Sequence, residues 1–204
     1  MDAVKRLAVE FYRAGLVQLG EFKLSSGLTS PFYIDVRKMY SYPELTRSVI
    51  TEIVSRIPLH DVEVLAGVES AGIPLASYIS CLVSKPLAYV RKEKKKHGTG
   101  SAVEGDVVGK RVAIVDDVAT TGSSLVKAVR FLREARAIPV KAIVIIDREQ
   151  GARLVLEKEG VEFHALMKAS DVFDVLLEHN LISKEDYDRV IKYLEKFKEV
   201  NKGV

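Results

Sequence analysis

Two adjacent carboxylates followed by a hydroxyl-rich turn form the most chemically loaded stretch of this 204-residue sequence. The string runs Ala113-Ile-Val-Asp116-Asp117-Val118-Ala119-Thr120-Thr121-Gly122-Ser123-Ser124-Leu125. Apolar residues predict a strand that ends at the acids, and the residues from 123 onward predict a helix. A turn that opens a helix offers unpaired backbone N–H groups, hydroxyls and the positive end of the helix dipole, all suited to one phosphate. Gly122 lets an anion come close to the backbone, where a side chain would block it. Carboxylates do not grip phosphate. At the carboxyl end of a strand they suit sugar hydroxyls or a hydrated Mg²⁺. The plainer alternative is a helix cap preceded by solvated acids. The whole string in strand–turn–helix context favours the phosphate site.

Two further segments carry charge or backbone suited to anions. In the run Arg91-Lys92-Glu93-Lys94-Lys95-Lys96-His97, five of seven residues are Arg or Lys. Like charges so crowded repel one another and favour an anionic partner. Taken alone, the run reads equally as a solvated loop, a nucleic-acid contact or a pyrophosphate clamp. No interleaved aromatics or matching basic helix support nucleic acid. Upstream, Ala66-Gly67-Val68-Glu69-Ser70-Ala71-Gly72 places small residues between a strand and a helix, where backbone amides can face an anion or simply make a tight connection. Gly105-Asp-Val-Val-Gly109-Lys110 mimics a nucleotide P-loop, but it has one residue too few, no Ser or Thr after the Lys, and precedes a strand. It reads as a turn.

These segments need a scaffold. Helical spacing of apolar residues predicts helices over 2–14, 43–57, 73–82, 123–136, 150–159 and 183–200. Strands are expected at 62–68, 87–90, 111–115, 140–146 and 161–166, with turns and short strands over 22–36. Short apolar strands alternating with helices predict an α/β fold, a mostly parallel sheet flanked by helices. The expectation is one domain over 1–204, in which residues 1–57 form a small N-terminal cap region. Hydrophobic residues at 48% and charged residues at 29% fit a globular chain, and the net charge of +3 does not itself point to nucleic acid. Apolar runs are too short to cross a bilayer, no apolar signal segment follows Met1, and the single cysteine, Cys81, excludes an internal disulfide. Cytoplasm is the expected location. Cys81 is expected in the core, and His60, His164 and His179 lack ligand spacing.

The acid–threonine string closely resembles the phosphoribosyl-pyrophosphate (PRPP) motif of type I phosphoribosyltransferases. That resemblance implies that Asp116 and Asp117 meet the ribose hydroxyls, while Ala119, Thr120, Thr121, Gly122, Ser123 and Ser124 wrap the 5′-phosphate, and it places Val118 among the PRPP-binding residues. The basic run resembles the catalytic loop of orotate phosphoribosyltransferases, which implies pyrophosphate contacts for Arg91, Lys92, Lys95 and His97. It also implies a catalytic set of Lys92, Lys95, His97 and Asp117. In that family the loop serves the neighbouring subunit, so a homodimer is implied, with no membrane or nucleic-acid partner. Phe22-Lys-Leu-Ser25-Ser26-Gly27-Leu-Thr-Ser30-Pro31-Phe-Tyr33-Ile-Asp35 is similar to the segment that covers the base in that family. The resemblance assigns Ser26, Tyr33, Thr120 and Arg148 to orotate, and Mg²⁺ as cofactor, held mainly through PRPP near Asp116 and Asp117. Ser25 stands where many members carry Lys, while Lys23 lies two positions earlier, on the same face of an expected strand. The implied reaction moves ribose 5-phosphate from PRPP to orotate, in pyrimidine biosynthesis. The competing readings are transfer to a purine, which Arg148 and the basic run oppose, and a DNA-binding metabolite sensor. The latter lacks a helix-turn-helix segment in residues 1–20.

Overall fold

A computed structural model of the chain describes residues 2–23, 29–94 and 101–202, with side chains as far as Phe197. Among the described residues, one sheet has six strands in the order β5-β4-β3-β6-β7-β8. These are β3 (Val64–Val68), β4 (Leu87–Val90), β5 (Val103–Glu104), β6 (Arg111–Ala119), β7 (Ile138–Asp147) and β8 (Glu162–Lys168). All neighbouring pairs are parallel except β4 with β5. The sheet is covered on both faces, and β6 shows why. Val112 and Ile114 pack with one apolar cluster, while Ala113 and Val115 pack with the other. The alternation that would make a half-exposed strand amphipathic is replaced by a continuous apolar run, as a two-sided core requires.

Helices α1 (Ala3–Arg13), α2 (Pro43–Arg56), α3 (Gly72–Val83) and α6 (Ala169–Glu178) contribute buried side chains to the first cluster. Helices α4 (Ser123–Glu134) and α5 (Ala152–Lys158) contribute to the second. So α3 leaves β3 for one face and α4 leaves β6 for the other. Because β3 and β6 are adjacent, a crevice opens between their carboxyl ends, the place where open α/β sheets bind ligands. A separate hairpin, β1 (Val17–Lys23) against β2 (Thr29–Ile34), and the last helix, α7 (Lys184–Lys202), stand beside that crevice. Ser183 caps α7, its Oγ accepting from the Asp186 amide at 3.0 Å.

The predicted elements are present, with shifted ends. Three expectations are corrected. β6 does not end at the acids but continues through them to Ala119, with Asp116 opposite Val144 and Ala119 opposite Asp147 on β7. Cys81 is exposed, because the inward stripe of α3 is Leu75, Ala76, Ile79 and Ser80, and Cys81 falls off it. The hairpin starts at Val17, earlier than expected, and α6 and β5 were not anticipated.

Candidate active site

The turn after β6 forms one wall of a cavity of about 520 Å³. Val118, Ala119, Thr120, Thr121, Gly122, Ser123 and Ser124 all line it. Gly122 takes φ +81°, and a Cβ there would press on Val155 and Ala152 at the start of α5. Only glycine turns this corner without displacing a neighbour. Gly122 also has no side chain with which to cap α4, so the first amides of that helix are left for an outside anion.

The acid pair sits at the floor. Asp116 is buried and lines the cavity, while Asp117 is half-buried. Burial raises the Asp116 carboxyl far above the ordinary carboxylate range, and the neighbouring Asp117 adds to the rise. Asp117 is raised too, chiefly by burial, against the pull of the Val118 amide that its Oδ1 accepts at 2.8 Å. On the Asp117 side stand Arg37 and Tyr40. Burial, then the charges of Asp117 and Asp116, raise the Tyr40 phenol, which donates to the Ala71 carbonyl at 3.0 Å. Among the described residues, no group of three His, Cys, Asp or Glu side chains is arranged to hold a metal. Asp116 and Asp117 are oxygen donors of the kind a hydrated Mg²⁺ takes.

Turn 69–72 lies beside this floor and is tied to the basic segment. The Glu69 amide donates to the Val90 carbonyl, and the Glu69 carboxylate accepts from the Lys92 amide, both at 2.8 Å. The Glu69–Ser70 peptide is cis. Arg91 is fixed on its other side by β5: its amide donates to Ala102 at 2.8 Å, and its guanidinium lies 3.5 Å from Glu104. Lys94 pairs with Glu134 on α4 at 2.9 Å instead of standing free. Lys95, His97 and Ser26 lie outside the described residues.

Across the cavity, β7 delivers Arg148, which is only 5% exposed. Its amide donates to the Ala119 carbonyl at 2.8 Å, joining it to the phosphate turn. Its Nη2 donates to Ser30 Oγ at 3.2 Å, and its guanidinium lies 4.5 Å from the Phe32 ring centre. Among the described residues, the groups that act on the guanidinium are the phenols of Tyr193 and Tyr33, and no carboxylate does. Burial disfavours its charge, and its buried Nε has no hydrogen-bond partner among the described residues. Lys23 and Tyr33 from the hairpin complete this side, Tyr33 stacked on Phe22 at 5.4 Å.

Sequence reasoning missed Gln150, Tyr193 and Phe197 as cavity residues. The available signal was an aromatic pair four residues apart on the last helix, but nothing local said that this helix meets β2.

The 118–124 turn, Asp116 and Arg148 line one cavity, and residues 44–169 match the phosphoribosyl transferase domain family. Orotate phosphoribosyltransferase from Staphylothermus marinus is 42% identical over 197 residues, covering 97% of each chain. The crystal structure of orotate phosphoribosyltransferase from Aeropyrum pernix superposes with a TM-score of 0.77 at 35% identity, over 87% of this chain and 99% of that one. UMP synthase from Leishmania donovani gives a TM-score of 0.86 at 32% identity over 96% of this chain, which spans 43% of that protein. The chain belongs to the orotate phosphoribosyltransferase family. It is an enzyme of the glycosyltransferase kind.

Proposed function

We propose that the chain transfers ribose 5-phosphate from PRPP to N1 of orotate, yielding orotidine 5′-monophosphate and pyrophosphate in pyrimidine (UMP) biosynthesis. The observation that carries this reading is Arg148: a buried guanidinium with no carboxylate partner among the described residues, lining the same cavity as the 118–124 turn. A buried cation is costly unless an anion answers it, and orotate brings a carboxylate at the required place. A neutral purine brings none.

The C1–pyrophosphate bond breaks and the C1–N1 bond forms, with oxocarbenium-like charge on the ribose between them. The turn at 118–124 holds the 5′-phosphate through backbone amides and hydroxyls. Asp116 and Asp117 orient the ribose hydroxyls by hydrogen bonding. Arg91 and Lys92, fixed by Glu104 and Glu69, face the departing pyrophosphate. Lys95 and His97 extend that cationic segment by family resemblance. Asp116 and Asp117 would stand beside a Mg²⁺, which would supply further neutralising charge to the leaving group. Arg148, with Thr120, Tyr33 and Ser26, orients orotate, so positioning carries more of the rate than proton abstraction.

The reading includes a cytoplasmic homodimer in which the basic segment reaches the neighbouring site. The exposed Tyr78 and Leu82, one turn apart on α3, support such a contact. Among the described residues no helix is long and apolar enough to cross a membrane.

The deciding experiment mixes protein, PRPP and Mg²⁺ with orotate and follows the ultraviolet absorbance of the base, with uracil, guanine and adenine in parallel. Metal-dependent loss of the orotate signal alone is the expected result. Turnover of another base with orotate untouched sinks the acceptor assignment.

A further inference from the structure

The cavity has a wall that neither the phosphate turn nor the hairpin provides. It comes from α7, whose Tyr193 and Phe197 both line the cavity, their rings meeting edge on at 5.2 Å. Tyr193 is tied in three directions. Its phenol oxygen accepts from Gln150 Nε2 at 3.3 Å, two residues beyond Arg148. Its ring stands at 88° to Phe32 with centroids 5.9 Å apart. Its oxygen also lies where it favours the charged form of the Arg148 guanidinium. Phe32 is thus shared, with Tyr193 against it on one side and Arg148 stacked on it at 4.5 Å.

A guanidinium is a planar fork, and its use against a carboxylate depends on the plane being fixed beforehand. Ser30 holds one end of that fork and Phe32 sets its plane. The remaining constraint is on α7. Gln150 is buried and spends its amide on Tyr193, which leaves that phenol in one place.

We infer that α7 completes the base subsite: Tyr193, anchored by Gln150, is a positioning residue for Arg148, and Phe197 closes the edge of the cavity over the base. The C-terminal helix thereby sets the preference for a pyrimidine that bears a carboxylate. This inference rests on the orotate reading of the same cavity.

The test uses the full chain and two variants, Tyr193→Phe and Gln150→Met, with orotate and PRPP varied separately and melting temperature recorded. Losing one hydrogen bond in the chain that orients Arg148 is expected to raise the KM for orotate about threefold to tenfold. The KM for PRPP stays where it was, and Gln150→Met reproduces the selective effect. If Tyr193→Phe does not fold, Gln150→Met decides alone. An unchanged KM for orotate, or an equal rise in both KM values, overturns the inference. A parent protein that turns over another base but not orotate defeats the functional reading itself. A parent that uses orotate, with variants that match it, defeats only the role of α7.

Discussion

Asp116 shows how much a single position can be asked to give up. Its carboxyl is buried beside a second carboxyl, and both are raised above their ordinary range. In the unfolded chain Asp116 ionises near the ordinary 3.8, whereas in the folded chain it keeps its proton to higher pH. Between those limits the folded state binds more protons, so stability falls as pH rises through the window above the ordinary carboxylate range. Asn has the same shape and no charge to bury. Asp116→Asn is therefore expected to stabilise the ligand-free protein by on the order of 1–3 kcal/mol at about pH 8, and by little at about pH 4. Urea unfolding at the two pH values measures this, and turnover should be lost in the same variant. A stability gain that is equal at both pH values would show that Asp116 does not titrate as its burial demands. The residue has been kept at a cost to folding, which is what a functional carboxylate looks like.

At the scale of elements, the decisive contact is between the start of α3 and the middle of β6. A Cβ on Gly72 would overlap the Val115 carbonyl oxygen and approach the Asp116 Cα at 3.0 Å. The turn at 69–72 reaches the acid pair only because this position has no side chain. Gly72→Ala is expected to lower stability by about 1–3 kcal/mol through overpacking and to lower turnover further than that loss explains. Denaturant unfolding combined with assay below the transition separates the two effects, and unchanged stability would mean that the backbone yields more easily than its neighbours suggest. The glycine was visible in the sequence, but the oxygen it touches is 43 residues away (115 minus 72). The same distinction explains the rest of what was readable. The phosphate turn was legible because its parts are consecutive and its chemistry is local. So were most strands, because a two-sided core writes itself as apolar runs. Segment 17–23 was not read as a strand, because its alternation of Val17 and Leu19 is broken before Phe22 by a register shift against β2. The helical spacing of Ala169, Val172, Phe173 and Leu176 was present but was not read as α6. Arg148 was chosen by resemblance, but its isolation from acids depends on Ser30 and Phe32, 118 and 116 residues earlier (148 minus 30 and minus 32). Cys81 was misplaced because an apolar helix does not announce which of its sides faces the sheet.

Across the whole molecule, the sheet order places two loops at one crevice from strands that run to opposite faces. β3 sends its chain through the 69–72 turn into α3, and β6 sends its chain through the 120–122 turn into α4. The two turns therefore stand on either side of the same acid pair, and the hairpin and α7 close the cavity from another side. The described part of the basic segment, residues 91–94, follows β4 beyond the 69–72 turn and is not among the described residues that line the cavity. A segment at the edge of its own site is well placed to serve a neighbour, and the exposed Tyr78 and Leu82 give α3 a surface for one. Two inactive variants test this directly. Lys92→Ala removes a cation from the basic segment and leaves the cavity intact, while Arg148→Met spoils the cavity and leaves the basic segment intact. If each segment serves the partner's cavity, a mixed dimer holds one site with both defects and one with neither. Random exchange in an equal mixture makes half the dimers mixed, so turnover should recover to about one quarter of the parent value. If the segment serves its own cavity, each chain carries its own defect and the mixture stays as inactive as its parts. Recovery near one quarter after unfolding and refolding the two variants together establishes the shared site, and sedimentation of the parent as two chains is the condition it requires.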